Sequence, residues 1–195
     1  PKNAEVYNNL GNAFRRKGDL DAAIQNYQWA LKFEPDYAEP YNNFGLALVD
    51  KKQFDAAIKC YRNSLKLKPG YAETYFNIGS ALVQKGDYDS AIKNLQKALQ
   101  IMPNHHNACN NMGAALRAKG ELQAAIKSYD SAIKINPKNV DARYNKSLLL
   151  LNLESFKKGW PAYEYRWKKS KLDSVPTLSS RPKWHLGDQG RVLVW

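Results

Sequence analysis

Cysteine is scarce in this chain of 195 residues, which contains only Cys60 and Cys109. The periodic pattern described below places them on different predicted helices, two repeating units apart. Because a disulfide requires Cα atoms within roughly 7 Å, that separation predicts two free thiols. Free thiols suit a reducing compartment, so we expect a cytoplasmic protein.

Long hydrophobic runs are also lacking. No stretch approaches the roughly 20 apolar residues that a transmembrane helix needs, and no basic segment followed by an apolar run opens the chain. We therefore expect no membrane span and no signal peptide. Pro1 occupies the closing position of a repeat, which favours a piece of a longer array.

The groupings that carry catalysis are missing as well. No nucleophile stands near a base, no cluster has metal-ligand spacing, and no phosphate-binding loop is present. His105 and His106 fall in a predicted turn, where surface histidines are common, and His185 is isolated near the end. The sequence predicts no enzyme activity, no metal and no cofactor.

Proline is present at a fixed interval of 34 residues, at Pro1, Pro35, Pro69, Pro103 and Pro137. Other positions follow the same interval: a glycine, an alanine and an aromatic or leucine recur in each unit. The glycines are Gly11, Gly45, Gly79 and Gly113, the alanines Ala23, Ala57, Ala91 and Ala125, and the large residues Tyr27, Tyr61, Leu95 and Tyr129. A period of this length predicts a solenoid of stacked supersecondary units.

Each unit has the pattern of two amphipathic helices. In the first unit the apolar spacing predicts helices over 4–17 and 20–33. Gly18 and Asp19 separate them, and Asp19 is expected to cap the second helix through its carboxylate. Pro35 ends that helix because proline cannot continue the hydrogen-bond ladder. The glycine inside each first helix indicates a steric need, since it costs about 1 kcal/mol relative to alanine.

This order of aromatic, leucine-glycine, aromatic, alanine and proline resembles the tetratricopeptide repeat. The resemblance implies an all-α, right-handed superhelical solenoid of five helix-turn-helix units over residues 1–171, with a protein- or peptide-binding function. The predicted units are 4–37, 38–71, 72–105, 106–139 and 140–171.

The fifth unit and the following stretch depart from the pattern. Ser147 replaces the glycine, Lys171 stands where proline is expected, and the first helix of the unit is rich in leucine. Residues 172–195 are predicted to form a linker and the start of another domain. The stretch over 156–184 is similar to the junction in bacterial proteins that join these repeats to a glycosyltransferase-like domain. That resemblance implies an alternative function, the substrate-recognition arm of a larger enzyme.

One position of the first helix is asparagine in all five units. The row comprises Asn9, Asn43, Asn77, Asn111 and Asn145. An amide offers two donors and an acceptor, so such a row could hold the backbone of an extended peptide, or it could instead bond neighbouring helices. It resembles the asparagine ladder in the repeats of O-linked GlcNAc transferase, which implies the peptide role. The same predicted face adds Asn12, Arg16, Asp50 and Gln84 as candidate binding residues.

The net charge of +12 raises nucleic acid as a partner. Most lysines fall on the second helices, where a solvated outer surface is the simpler interpretation, so nucleic acid is not the favoured partner. A denser basic cluster spans 157–171 and is interpreted first as an interdomain or solubility feature, although it could also meet an acidic partner or a membrane surface. Exposed array ends or the C-terminal stretch could also support self-association.

Overall fold

The computed structural model describes residues 3–163 of the chain as a succession of antiparallel helix pairs. The first helices of the five pairs are α1 (Ala4–Lys17), α3 (Ala38–Asp50), α5 (Ala72–Lys85), α7 (His106–Ala118) and α9 (Val140–Asn152). The second helices are α2 (Leu20–Phe33), α4 (Phe54–Leu67), α6 (Tyr88–Ile101), α8 (Leu122–Ile135) and α10 (Phe156–Tyr163). The all-α solenoid is confirmed, and the first two helices begin and end where the sequence predicts. The predicted linker and following domain at 172–195 lie outside the described residues.

Glycine and aspartate form the turn within a helix pair, as expected. Gly18 ends α1 in the left-handed conformation, with φ of 87°. Asp19 begins α2 by accepting a hydrogen bond from the Ala22 amide at 3.1 Å. Asp87 repeats this cap on α6, where its carboxylate accepts from the Ser90 amide. A glycine with a left-handed backbone, followed by an aspartate whose carboxylate caps the next helix, therefore reverses the direction of the chain.

The recurrent glycine makes room for the large residue of the second helix. A Cβ atom on Gly11 would lie 2.5 Å from the Tyr27 ring, and one on Gly113 would lie 2.6 Å from the Tyr129 ring. The steric need is confirmed, and it is set by the large side chain of the second helix that packs against the glycine. In the fifth pair Ser147 fills the same position and is fully buried.

Stacking of the pairs follows the order of the chain. Each helix packs against its partner and against the next helix along the chain, and successive first helices also contact one another. Contact among first helices indicates that they line the inner side of a curved array. We name the exposed side of α1, α3, α5, α7 and α9 the inner face.

At three of the four junctions between repeats, an ion pair joins two residues that are 30 positions apart in the sequence. Lys51 pairs with Asp21 at 2.6 Å, and Lys119 pairs with Asp89 at 2.7 Å. Lys85 and Asp55 form the equivalent pair at 2.5 Å. In each case a lysine at the end of a first helix, or directly after it, contacts an aspartate in the first turn of the preceding second helix, where a carboxylate is favoured by the helix dipole.

Candidate functional site

The predicted asparagine row lies along the first helices but is unevenly exposed. Asn9 is exposed, Asn43, Asn111 and Asn145 are half-buried, and Asn77 is only 6% exposed. The row therefore becomes enclosed where repeats stack on both sides. Asn9 differs because its helix has no described repeat before it.

Four members of the row donate a hydrogen bond to the preceding repeat. Asn43 Nδ2 donates to Asn8 Oδ1 at 2.9 Å, Asn77 Nδ2 to Asn42 Oδ1 at 3.0 Å, Asn111 Nδ2 to Ser80 Oγ at 2.8 Å, and Asn145 Nδ2 to Asn110 Oδ1 at 3.1 Å. The alternative interpretation, that these amides bond neighbouring helices, is thus observed. Each amide retains a second N–H, although the carbonyl oxygen of Asn111 also accepts from Asn110 Nδ2 at 3.4 Å. The inter-repeat bonds therefore do not exhaust the hydrogen-bonding capacity of the row.

The acceptors of these bonds were missed by sequence reasoning. Asn8 and Asn42 are each 4% exposed and sit one position before the row. Because they are adjacent to the row, the sequence alone suggests only that asparagine is locally abundant. The signal that could have found them is the repetition of the pair Asn-Asn at 8–9, 42–43 and 110–111, since a buried amide requires a partner.

The four other candidate residues divide by their contacts. Asn12 Oδ1 accepts from the Tyr27 hydroxyl at 2.8 Å, and Asp50 pairs with Arg15 of the preceding repeat at 3.0 Å. Arg16 and Gln84 are exposed. Asn12 and Asp50 thus have structural partners, whereas Arg16 and Gln84 are available to a ligand.

Hydroxyl groups behind the inner face differ in their hydrogen bonding. Tyr61 and Tyr129 are fully buried, and neither hydroxyl has a partner among the described residues. Leu46 and Ala114 stand where the first unit has Asn12, which explains the loss of the acceptor. Burial raises the pKa of both phenols, so they stay neutral at physiological pH.

Acidic groups occur at the beginning of the first helices, where the helix dipole favours them. Glu5 and Glu73 are exposed and Glu39 is half-buried. Glu73 Oε2 lies 3.2 Å from His105 Nε2. The expectation that His105 is a surface residue of a turn is wrong, because it is only 9% exposed and caps α7 by accepting the Ala108 amide at Nδ1.

Just over half of the lysines between residues 3 and 163 lie on the second helices, and these are exposed to solvent, as predicted. The exposed lysines of these helices include Lys59, Lys66, Lys93, Lys97, Lys127 and Lys134. Of the basic cluster over 157–171, only Lys157 and Lys158 lie within the described residues. Cys60 and Cys109 are free thiols on separate helices.

Two further features of the described residues bear on function. Between residues 3 and 163, no group of histidine, cysteine and acidic side chains has the arrangement that holds a metal ion. In the same part of the chain, no helix has the length and apolar character needed to cross a membrane.

Sequence models of known families match most of the chain. A model described as TPR repeat matches 11–51 and 45–86, and two models described as tetratricopeptide repeat match 70–138 and 110–171. Together these matches run from residue 11 to residue 171. Among curated proteins, no sequence match was found.

Solved structures similar to the chain share this architecture. A structure of MamA is 28% identical, with a TM-score of 0.73 over 88% of this chain and 96% of that one. PilF of Pseudomonas aeruginosa is 18% identical, with a TM-score of 0.78 over 85% of this chain and 75% of that one. YrrB, described as a TPR protein with an unusual peptide-binding site, is 22% identical, with a TM-score of 0.67 over 88% and 89% of the two chains.

Proposed function

The chain belongs to the tetratricopeptide repeat family, a fold typical of protein-interaction scaffolds, and we propose that it binds extended peptide segments along its inner face. The observation that carries the proposal is the row of one amide per repeat, four of them held by a bond to the preceding repeat. Because these side chains are already ordered, a ligand that bonds to them loses little further side-chain entropy.

The chemistry of the inner face favours recognition of the peptide backbone. An amide pairs equally well with a backbone N–H or C=O, whatever the side chain of the ligand. Exposed Arg16 and Gln84 add donors, and Glu5 and Glu73 give the beginning of the first helices an acidic character. We expect broad selectivity, with some preference for neutral or basic peptides.

A test of this proposal must separate direct contact from stacking. The variant Asn43→Ala, Asn77→Ala and Asn111→Ala removes three members of the row. The control Asn8→Ala, Asn42→Ala and Ser80→Ala removes their partners, so the same three inter-repeat bonds are lost, together with the bond from Thr74 Oγ1 to Asn42 Oδ1, while the row remains. Both proteins would be measured on an array of unstructured peptides at low and high salt, after circular dichroism has verified their helicity.

Direct contact predicts that the row variant loses about tenfold or more in affinity while the control loses much less, since each hydrogen bond is worth about 1 kcal/mol. Binding should also persist at high salt, unlike nucleic-acid binding, which falls steeply. Equal losses in both variants would reassign the asparagines to stacking alone and refute the peptide role.

The alternative of an enzyme's recognition arm concerns a longer protein. In such a protein the inner face would present polypeptide substrates to a glycosyltransferase-like domain, by analogy with the asparagine ladder of O-linked GlcNAc transferase. The stretch that prompts this alternative is 156–184, and the structure describes it only up to residue 163. The alternative therefore stays a prediction. Sequence beyond Trp195 that encodes a nucleotide-sugar fold would favour it.

A further inference from the structure

The junction between the fourth and fifth repeats lacks residues that recur at the other three junctions. Where they have an aspartate and a lysine forming an ion pair, this junction has Gln123 and Leu153. Where they have an apolar residue before the small residue of the first helix (Phe44, Ile78 and Met112), it has Lys146. The residues that close the gap between repeats elsewhere are therefore replaced together at this place.

A groove of about 600 Å³ lies at this junction, lined by α8, α9 and α10. Its apolar lining includes Ile126 and Ile133 of α8, Leu150 of α9, and Leu153 just after α9. A volume of this size is typical of ligand sites. The lining of the groove combines apolar side chains with polar and charged ones.

The charged groups at the groove are predominantly basic. Among the residues between 3 and 163, Asp130 is the one acid that lines the groove, and it already pairs with Lys146 at 2.5 Å. Lys157 and Lys158, at the start of α10, are exposed and form no ion pair with any acid between residues 3 and 163. Arg143 contributes a further cation, and its Nε donates to the Pro137 carbonyl at 2.8 Å. A ligand with carboxylates beside apolar side chains would complement this surface.

We propose that this groove is a second binding site, separate from the inner face, for an acidic amphipathic peptide. The apolar side chains of the peptide pack on Ile126, Ile133, Leu150 and Leu153. Its carboxylates meet Lys157 and Lys158 at the rim. The site does not depend on the asparagine row, because none of its lining residues belongs to that row.

The test uses the full chain and three fluorescein-labelled hexapeptides, measured by fluorescence anisotropy. The acidic probe is Asp-Leu-Glu-Ile-Asp-Leu, the basic probe Lys-Leu-Lys-Ile-Lys-Leu, and the polar probe Asp-Ser-Glu-Ser-Asp-Ser. In the row variant Asn43→Ala, Asn77→Ala and Asn111→Ala, which lacks the amides of the inner face, we expect only the acidic probe to bind, because the polar probe lacks apolar side chains and the basic probe is repelled from the groove. Equal binding of the polar and acidic probes would overturn the proposal in favour of charge attraction alone.

Two variants with the same change of charge locate the site. Lys157→Glu with Lys158→Glu should weaken binding of the acidic probe by about tenfold or more. Lys127→Glu with Lys134→Glu, on an exposed side of α8 outside the groove lining, should change it by less than about twofold, since screening limits distant charges. Equal weakening in both would show nonspecific attraction to a basic protein and overturn the proposal.

A photoreactive form of the acidic probe distinguishes this site from the inner face. Crosslinks to α8, to α10 or to Leu150 of α9 support the groove, whereas crosslinks to α1, α3, α5, α7 or residues 164–195 overturn it. Displacement of the probe by a short oligonucleotide at lower concentration would assign the surface to nucleic acid instead. The row variant Asn43→Ala, Asn77→Ala and Asn111→Ala should bind the acidic probe as the parent does, so the two proposals can fail independently.

Discussion

Three tyrosines occupy the same buried position in their repeats, but only Tyr27 has a hydrogen-bond partner for its hydroxyl. We expect Tyr27→Phe to lower the free energy of unfolding by about 1 kcal/mol, because a bond to Asn12 is lost. Tyr61→Phe and Tyr129→Phe should be neutral or stabilising, because each removes a buried hydroxyl without a partner. Urea denaturation of the three variants provides the measurement, and a loss in Tyr61→Phe equal to that in Tyr27→Phe would contradict the prediction.

The thiol of Cys60 gives a second prediction at the residue scale. Burial raises the pKa of Cys60 from its usual 9.0 to about 11. Below pH 9 both folded and unfolded chains keep the proton, but between about 9 and 11 the unfolded chain loses it first. This group therefore lowers the free energy of unfolding as pH rises through that window.

Cys60→Ser provides the matched control, because the equivalent position of the fourth repeat is Ser128. Denaturation at pH 8 and pH 10.5 should show a smaller decline in stability for Cys60→Ser than for the parent. The tyrosines titrate alike in both proteins, so the difference isolates the thiol. Identical declines would show that Cys60 ionises as readily in the folded protein as in the unfolded chain.

The candidate site illustrates what the sequence can and cannot predict at this scale. The period of 34 residues placed the asparagines in one row on the first helices, because a helix of known phase determines which positions share a face. The hydrogen-bond partners of these asparagines could not be predicted in the same way. Asn43 and Asn8 are 35 residues apart, and their bond depends on how far one repeat is displaced relative to the next.

At the scale of the element, one residue with a left-handed backbone follows each first helix within two positions of its end. Three repeats use glycine there, with φ of 87° at Gly18, 89° at Gly86 and 82° at Gly120. Lys52 and Glu154 adopt the same conformation with φ of 60° and 55°. A side chain is strained in this region, whereas glycine is not.

We therefore expect Lys52→Gly to stabilise the protein by about 0.5–1 kcal/mol, and the reverse change Gly86→Lys to destabilise it by a similar amount. Thermal unfolding followed by circular dichroism measures both. Lys51→Gly serves as control and should destabilise, since it removes the ion pair with Asp21 and requires no left-handed backbone. A stabilising effect of Lys51→Gly would indicate that added glycine acts through some other route.

Helices were the most predictable elements, for local reasons. Gly18, Asp19 and Pro35 mark the limits of α1 and α2, and each acts through its own backbone or side chain within a few residues. The role of the recurrent glycine was only partly predictable. The sequence indicated close approach of the paired helices. It did not identify the group that contacts Gly11, which the structure shows to be the ring of Tyr27.

At the scale of the whole molecule, the junction between the fourth and fifth repeats should be the first to open. It lacks the ion pair of the other junctions and has Lys146 in place of an apolar residue. Hydrogen exchange should therefore show α9 to be less protected than α5 or α7, since a poorly packed unit opens at lower free energy. Exposed ion pairs add little to stability, so the missing apolar contact is expected to dominate.

Lys146→Met with Asp130→Gln tests this, because it copies Met112 and Gln96 of the preceding junction. We expect protection of α9 to rise by about 1–2 kcal/mol, the value of burying one such side chain. Uniform protection in the parent, or no gain in the variant, would contradict the interpretation.

Because the three ion pairs join residues at the same sequence separation, one whole repeat could be removed without disturbing the remaining pairs. Removing residues 54–87 would delete Lys85 and Asp55 together and leave the pairs Lys51–Asp21 and Lys119–Asp89 intact. Gly45 would then receive the side chain of Leu95 in place of Gly79. Such a deletion costs the bond from Asn111 to Ser80 but preserves the two remaining ion pairs. The length of the molecule can thus change in steps of one whole repeat while the width of the helix pair stays constant.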